Sequence, residues 1–191
     1  MSEATTYLIK ALGDLLTITI LFGFLFRLFK VDYFNPIVQG VMRIIDLPLR
    51  NLRNFIPAIY NIDFASIVSA IIIQSLCLYL IVLSGDLSAN IFVLIQWSFF
   101  SVLLLIIKLM FYSMFAGIIL SWIASTSSHP VVRLAFQLSE PLFVPFRKLM
   151  PPMGGLDFSP ILAFIALNFA EVLARNLATQ AGVPYGVLIG F

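Results

Sequence analysis

"LRNFIPAIYNIDFAS", Leu52–Ser66, and "FRKLMPPMGGLDFSP", Phe146–Pro160, are two settings of one phrase. Each runs apolar residue, arginine, a variable position, two apolar residues and proline, and six residues after the proline comes Asp–Phe. Each then passes into a long apolar run. Working outward, an offset of 94 carries the first half onto the second without a gap: Gly23 onto Gly117, Pro36 onto Pro130, Arg53 onto Arg147, Pro57 onto Pro151, and Asp63–Phe64 onto Asp157–Phe158. Asp46 meets Glu140, and Gln74 meets Asn168. Chance alignment of apolar runs pairs Leu with Ile; it does not pair prolines, arginines and aspartates in register. The chain therefore reads as one domain, residues 1–191, made by duplication, with repeats at approximately 5–97 and 99–191.

The solvent of this domain is lipid. The chain is 61% hydrophobic and 10% charged, with a mean hydropathy of +1.07, against roughly 45–50% and about 25% in soluble domains. Four stretches reach the roughly 20 residues a helix needs to cross a bilayer: Tyr7–Phe29, Phe64–Leu83, Ile91–Ile123 and Phe158–Leu177. The first lacks the basic leader and cleavage site of a signal peptide. The third is over-long, and reads either as one tilted helix or as an interfacial piece followed by a span. The expected fold class is an all-α membrane protein with four transmembrane helices.

Two spans per half return the chain to its starting side, so the halves enter the membrane in the same direction and form a parallel repeat. Both copies of the phrase then lie on one face. Lys30, Arg43, Arg50, Arg53, Arg133, Arg147 and Lys148 all fall in the two long loops, while the short loop "SGDLSAN" has no basic residue. By the positive-inside rule the long loops are cytoplasmic and both termini lie outside. Within the loops, polar residues recur at helical spacing: Gln39, Arg43, Asp46, Arg50 and Arg53, then Arg133, Gln137, Glu140, Arg147 and Lys148. The pattern predicts amphipathic in-plane helices facing anionic headgroups. Asn35–Pro36 and His129–Pro130 mark their starts, and Pro141 and Pro145 predict an interruption in the second. Asp63 and Asp157 are placed to cap the second and fourth spans. Arg53, Arg147 and Lys148 are the candidate interface and docking residues, for headgroups and for a protein partner.

Charges within the spans form a second candidate site. Asp14 and Lys108 occupy equivalent positions with opposite charge, and an unpaired charge in a membrane costs about 2.5–3.5 kcal/mol on insertion scales. Pairing across the halves, joined by Glu171 and Arg175 at i and i+4, predicts a neutral buried cluster. Such a cluster serves either as a structural ion-pair network or as an ion pathway. Arg27 reads as a residue that snorkels to the cytoplasmic interface.

The sequence offers no enzyme. It lacks HExxH, GxSxG and a phosphate-cradling glycine loop, and Gly154–Gly155 reads as a turn. One cysteine, Cys77, and one histidine, His129, leave no metal or haem pair, so no cofactor is expected. The formal charge of +2 does not suggest nucleic acid.

The stretch "SWIASTSSHPVVRLAFQLSEPLFVPFRKLMPPMGGLDFSPI", Ser121–Ile161, resembles the YggT (YlmG) family of small bacterial and plastid membrane proteins. The resemblance rests on Ser121–Trp122, Glu140–Pro141, Pro145, Arg147, Pro151, Gly154–Gly155, Asp157 and Ser159–Pro160. The first half departs from it, with Tyr60 and Asn61 in place of the glycines, Ala65–Ser66 for Ser–Pro and Arg27–Leu28 for Ser–Trp. The resemblance implies no catalytic activity and no cofactor. It implies roles in osmotic or salt tolerance and cell division in bacteria, and in haem attachment and nucleoid distribution in plastids. The expected function is accordingly a non-enzymatic inner-membrane protein of envelope and osmotic homeostasis, acting as an assembly or scaffold factor. The alternative is a small ion-handling protein, transporter or channel-like, whose pathway is the buried charge cluster. Four helices enclose little room, so a channel implies a homo-oligomer.

Overall fold

In the computed structural model, which describes residues 3–83, 90–149 and 157–184, the six named elements are all helices. They are α1 (Glu3–Leu28), α2 (Pro36–Phe55), α3 (Phe64–Leu83), α4 (Ile91–Ile123), α5 (Pro130–Leu149) and α6 (Ser159–Gln180). Four of them, α1, α3, α4 and α6, are long and apolar enough to cross a membrane. The over-long third stretch is a single helix of 33 residues. At 1.5 Å per residue it runs about 50 Å, well beyond a hydrocarbon core of roughly 30 Å. A span of that length would take up its excess by tilt or by projection past the bilayer. Pro151, Gly154–Gly155 and the short loop at 84–89 lie outside the described residues.

The helix starts follow the local chemistry. The Ile37 amide donates to Asn35 Oδ1 (2.9 Å), and Pro36 opens α2, a position where its missing N–H costs nothing. The Val131 amide donates to His129 Nδ1 (3.3 Å), and Pro130 opens α5 in the same way. The interruption expected at Pro141 and Pro145 does not occur: α5 runs unbroken through both. Pro145 is exposed, and there the carbonyl a proline orphans can turn to solvent with a gentle bend.

The largest core joins α1, α2 and α3. Leu21, Leu25, Phe26, Val38, Ile45, Leu49 and Ala65 are buried there, with Leu105 and Leu109 of α4 against them. A smaller cluster of Met114, Phe143 and Ala163 holds α4, α5 and α6. The two halves use a glycine at the same offset for close helix approach. A Cβ on Gly23 would lie 2.0 Å from Ile45 Cδ1, and one on Gly117 would lie 2.2 Å from Ser139 Oγ and 2.6 Å from its Cβ. Before α3, Ile59 and Ile62 bridge across a turn whose central residues, Tyr60 (φ 50°) and Asn61 (φ 69°), sit in the left-handed region. The residues at the 94 offset in the sequence are Gly154 and Gly155.

The two connecting helices begin side by side. Asn35 Nδ2 donates to the Pro130 carbonyl (2.8 Å), the Asp32 amide donates to Gln137 Oε1 (3.2 Å), and Arg133 lies 3.7 Å from Asp32. Both long loops therefore sit at one end of the bundle.

Candidate functional site: two arginine–carboxylate clusters

Each copy of the repeated phrase closes into an ion cluster at that end. In the first, Arg53 near the end of α2 reaches back along its own helix to Asp46 and forward to Asp63, immediately before α3. Its Nε and Nη2 donate to Asp63 Oδ2 at 3.2 and 3.1 Å. The same oxygen takes the Ser66 hydroxyl at 2.9 Å and Arg27 Nη1, from the last turn of α1, at 3.2 Å. The Ser66 amide donates to Asp63 Oδ1 (3.3 Å), a bond to an otherwise orphaned amide of the first turn of α3. Asp63 is 1% exposed. A carboxylate so buried is tolerable only with this density of donors.

The second cluster repeats the geometry with looser closure. Arg147 reaches back to Glu140, and its Nε donates to Asp157 Oδ2 at 2.8 Å. The Ser159 amide donates to Asp157 Oδ1 at 2.9 Å. The N-cap position of α6 is held by Phe158, without a side-chain cap bond, so Asp157 serves the Ser159 amide from one residue further out. Burial opposes its ionisation, but the hydrogen bonds from Ser159 and Arg147 outweigh that and hold its carboxyl below the usual aspartate range. The Asp157 hydrogen bond in turn raises Arg147, against its own desolvation. Here the Asp157 side chain is 32% exposed. Beside it opens a cavity of about 570 Å³, lined at its polar end by Ser121, Glu140, Arg147 and Asp157, with Trp122 and Phe143 among its apolar walls.

Sequence reasoning placed Arg53, Arg147, Asp63 and Asp157 at this end, but assigned them separate duties of docking and capping. The structure brings them together. It also recruits Asp46 and Glu140, seven residues before each arginine and so two helical turns away on one face, a spacing visible in the sequence. Arg27 was missed as a partner of Asp63: it lies in the last turn of α1, within 3.2 Å of the aspartate that precedes α3. Lys148 is exposed and makes no ion pair among the described residues.

The charges within the spans are arranged differently from the single cluster expected. Arg175 Nη2 donates to Glu171 Oε1 at 2.5 Å along α6. Asp14 instead lines a separate cavity of about 250 Å³ with Lys10, Thr6, Gln74 and Cys77. No ion pair joins Asp14 to Lys108 among the described residues, and Lys108 is partly buried on α4. Thr17 and Asn168 bond to carbonyls of their own helices, Gly13 and Phe164, rather than to a shared network.

An all-helical chain with four apolar helices and two such clusters defines a class of membrane-type protein. The CCB3/YggT family profile matches residues 2–84 and again residues 96–178, so the chain belongs to that family. An uncharacterised protein of Pseudomonas aeruginosa is 38% identical over 187 residues, covering 96% of this chain and 95% of the relative. The uncharacterised protein YggT of Escherichia coli K12 is 32% identical over 180 residues, covering 88% and 90%. A shorter likeness, 43% identity over 51 residues and 27% of this chain, links it to YlmG homolog protein 2, chloroplastic, of Arabidopsis thaliana, 20% of which is covered. No solved structure matches the chain.

Proposed function

We propose that the protein is a non-enzymatic scaffold of the bacterial inner membrane, supporting envelope and osmotic homeostasis through the end of the bundle that carries the two arginine clusters. In this reading the chain is a parallel duplication, α1, α3, α4 and α6 span the bilayer, and both termini are periplasmic. The helices α2 and α5 are amphipathic and lie in the cytoplasmic interface. The observation that carries the reading is the clamp itself: Arg53–Asp63 and Arg147–Asp157 fasten the end of each connecting helix to the start of the next span. A surface fixed in this way can present side chains to a partner at little entropic cost.

The outer face of α2 is built for contact. Val38, Met42, Ile45 and Leu49 face the bundle, while Leu47 (88% exposed) and Ile44 point away from it. Arg43 and Arg50 are exposed beside them. Apolar side chains flanked by arginines suit an interface with anionic headgroups or with a protein partner seated among them.

The test replaces exposed cations that take no part in the clamps. Arg50→Glu combined with Lys148→Glu is expected to leave the protein folded and inserted but to abolish its support of growth at high osmolarity. Full support by that variant overturns the reading. The ion-handling alternative draws on Asp14 beside Gln74, whose buried Oε1 has no hydrogen-bond partner among the described residues. It requires K⁺, Na⁺ or H⁺ flux in liposomes that Asp14→Asn removes; folded protein without flux dismisses it.

A further inference from the structure

We propose that the cavity beside Arg147 and Asp157 binds the headgroup of an aminophospholipid, whose primary ammonium takes the place that the Arg27 guanidinium fills in the other half. The inference rests on reading the two halves as repeats, and the difference between them is its evidence. In the first cluster two cations, Arg27 and Arg53, face two carboxylates, Asp46 and Asp63. In the second, among the described residues, Arg147 alone faces Glu140 and Asp157. The residue at the 94 offset from Arg27 is Ser121, whose hydroxyl turns back to the Ile118 carbonyl at 2.7 Å. Where the first half holds a guanidinium, the second holds a cavity and, among the described residues, one carboxylate more than it has cations.

The shape of the space selects the guest. Its polar end carries Glu140, Asp157 and Ser121, and its apolar walls include Ile118, Ile161 and Phe164, from the apolar helices α4 and α6. The ligand is therefore an amphiphile with a cationic head, reaching the site from the bilayer. Arg147 adds a second point of recognition. Arg53 directs both Nε and Nη2 at its aspartate, whereas Arg147 directs Nε alone, and Nη2 makes no hydrogen bond among the described residues. That donor suits a phosphate oxygen. An ammonium for the carboxylates and a phosphate for the arginine together describe phosphatidylethanolamine. Phosphatidylcholine lacks the N–H donors, and phosphatidylglycerol lacks the cation.

The test uses full-length protein in detergent with Trp97→Phe, leaving Trp122 at the cavity as the sole tryptophan. Short-chain phosphatidylethanolamine is expected to shift Trp122 emission saturably. Phosphatidylcholine should bind about tenfold more weakly, the loss of one charge-assisted hydrogen bond, and phosphatidylglycerol more weakly still. Ser121→Arg, which supplies the missing guanidinium from an exposed position, is expected to abolish the shift, and Glu140→Gln to weaken it. Equal responses to the ethanolamine and choline lipids, or none to either, overturn the proposal. A preference for ethanolamine that survives Ser121→Arg but not Glu140→Gln overturns the correspondence with Arg27, and with it the repeat on which the inference rests. Saturation by arginine methyl ester without any response to lipid would assign the cavity to a partner's side chain and also overturn it.

Discussion

Asp63 and Asp157 occupy the same place in the same phrase, yet one is 1% exposed and the other 32%. The difference lies in a neighbour rather than in the phrase. Arg27 closes over Asp63 from α1, whereas Ser121 on α4 is too short to do the same for Asp157. Around the first cluster the helices bury a continuous core from Leu21 to Leu49; around the second the core shrinks to Met114, Phe143 and Ala163 with a cavity alongside. One half of the molecule is built to hold together, and the other keeps the same polar groups within reach of something else.

The largest effect that would test this contrast comes from the aspartates. Asp63→Ala leaves Arg27 without its counter-ion and Arg53 with Asp46 alone, and is expected to cost about 3–5 kcal/mol, read as a loss of thermal stability in detergent. Asp157→Ala, at a more open site, should cost about 1 kcal/mol or less. Equal losses would erase the distinction between sealed and open clusters. Next come the glycines. Gly117→Ala drives a methyl against Ser139 Cβ and should cost about 1–3 kcal/mol. Gly23→Ala should cost less, because Ile45 Cδ1 is the free end of a flexible side chain. A third comparison concerns the turns. Tyr60→Gly, which gives the first half the residue type of the second, should gain about 1 kcal/mol by relieving a left-handed non-glycine, visible as a higher Tm.

The smallest effect is the pH response. With its carboxyl held below the ordinary value of 3.8, Asp157 contributes stability that is full above that value and is lost as pH falls through its depressed folded pKa. Acid titration of thermal stability should show this loss below about pH 4 in the wild type. In Asp157→Asn the same component should be absent.

Much of this was legible in the residues. The apolar runs gave the four long helices, because nothing but lipid accommodates so much apolar surface. Asn35–Pro36 and His129–Pro130 marked helix starts through a capping acceptor followed by a residue that needs no N–H. Two features were not legible. Whether Ile91–Ile123 would break could not be read, since an apolar run carries no punctuation and only the absence of proline or glycine pairs favours continuity. Nor was the partnership of Arg27 with Asp63, because an arginine at the end of a span has water as an equally good alternative partner. Asp14 and Lys108 show the limit of the offset itself. Matching positions at that offset do not bring two residues into contact, and Asp14 lines a cavity with α3 in its own half.

The most direct test of the account is growth at high osmolarity of a bacterial strain lacking its own copy of the protein, supplied with Ser121→Arg, Asp14→Asn or wild type at matched membrane levels. If the open cluster is the working surface and the sealed one its structural twin, Ser121→Arg accumulates normally yet fails to support growth, while Asp14→Asn supports it. Growth with Ser121→Arg and failure with Asp14→Asn would contradict the account and move the function into the membrane.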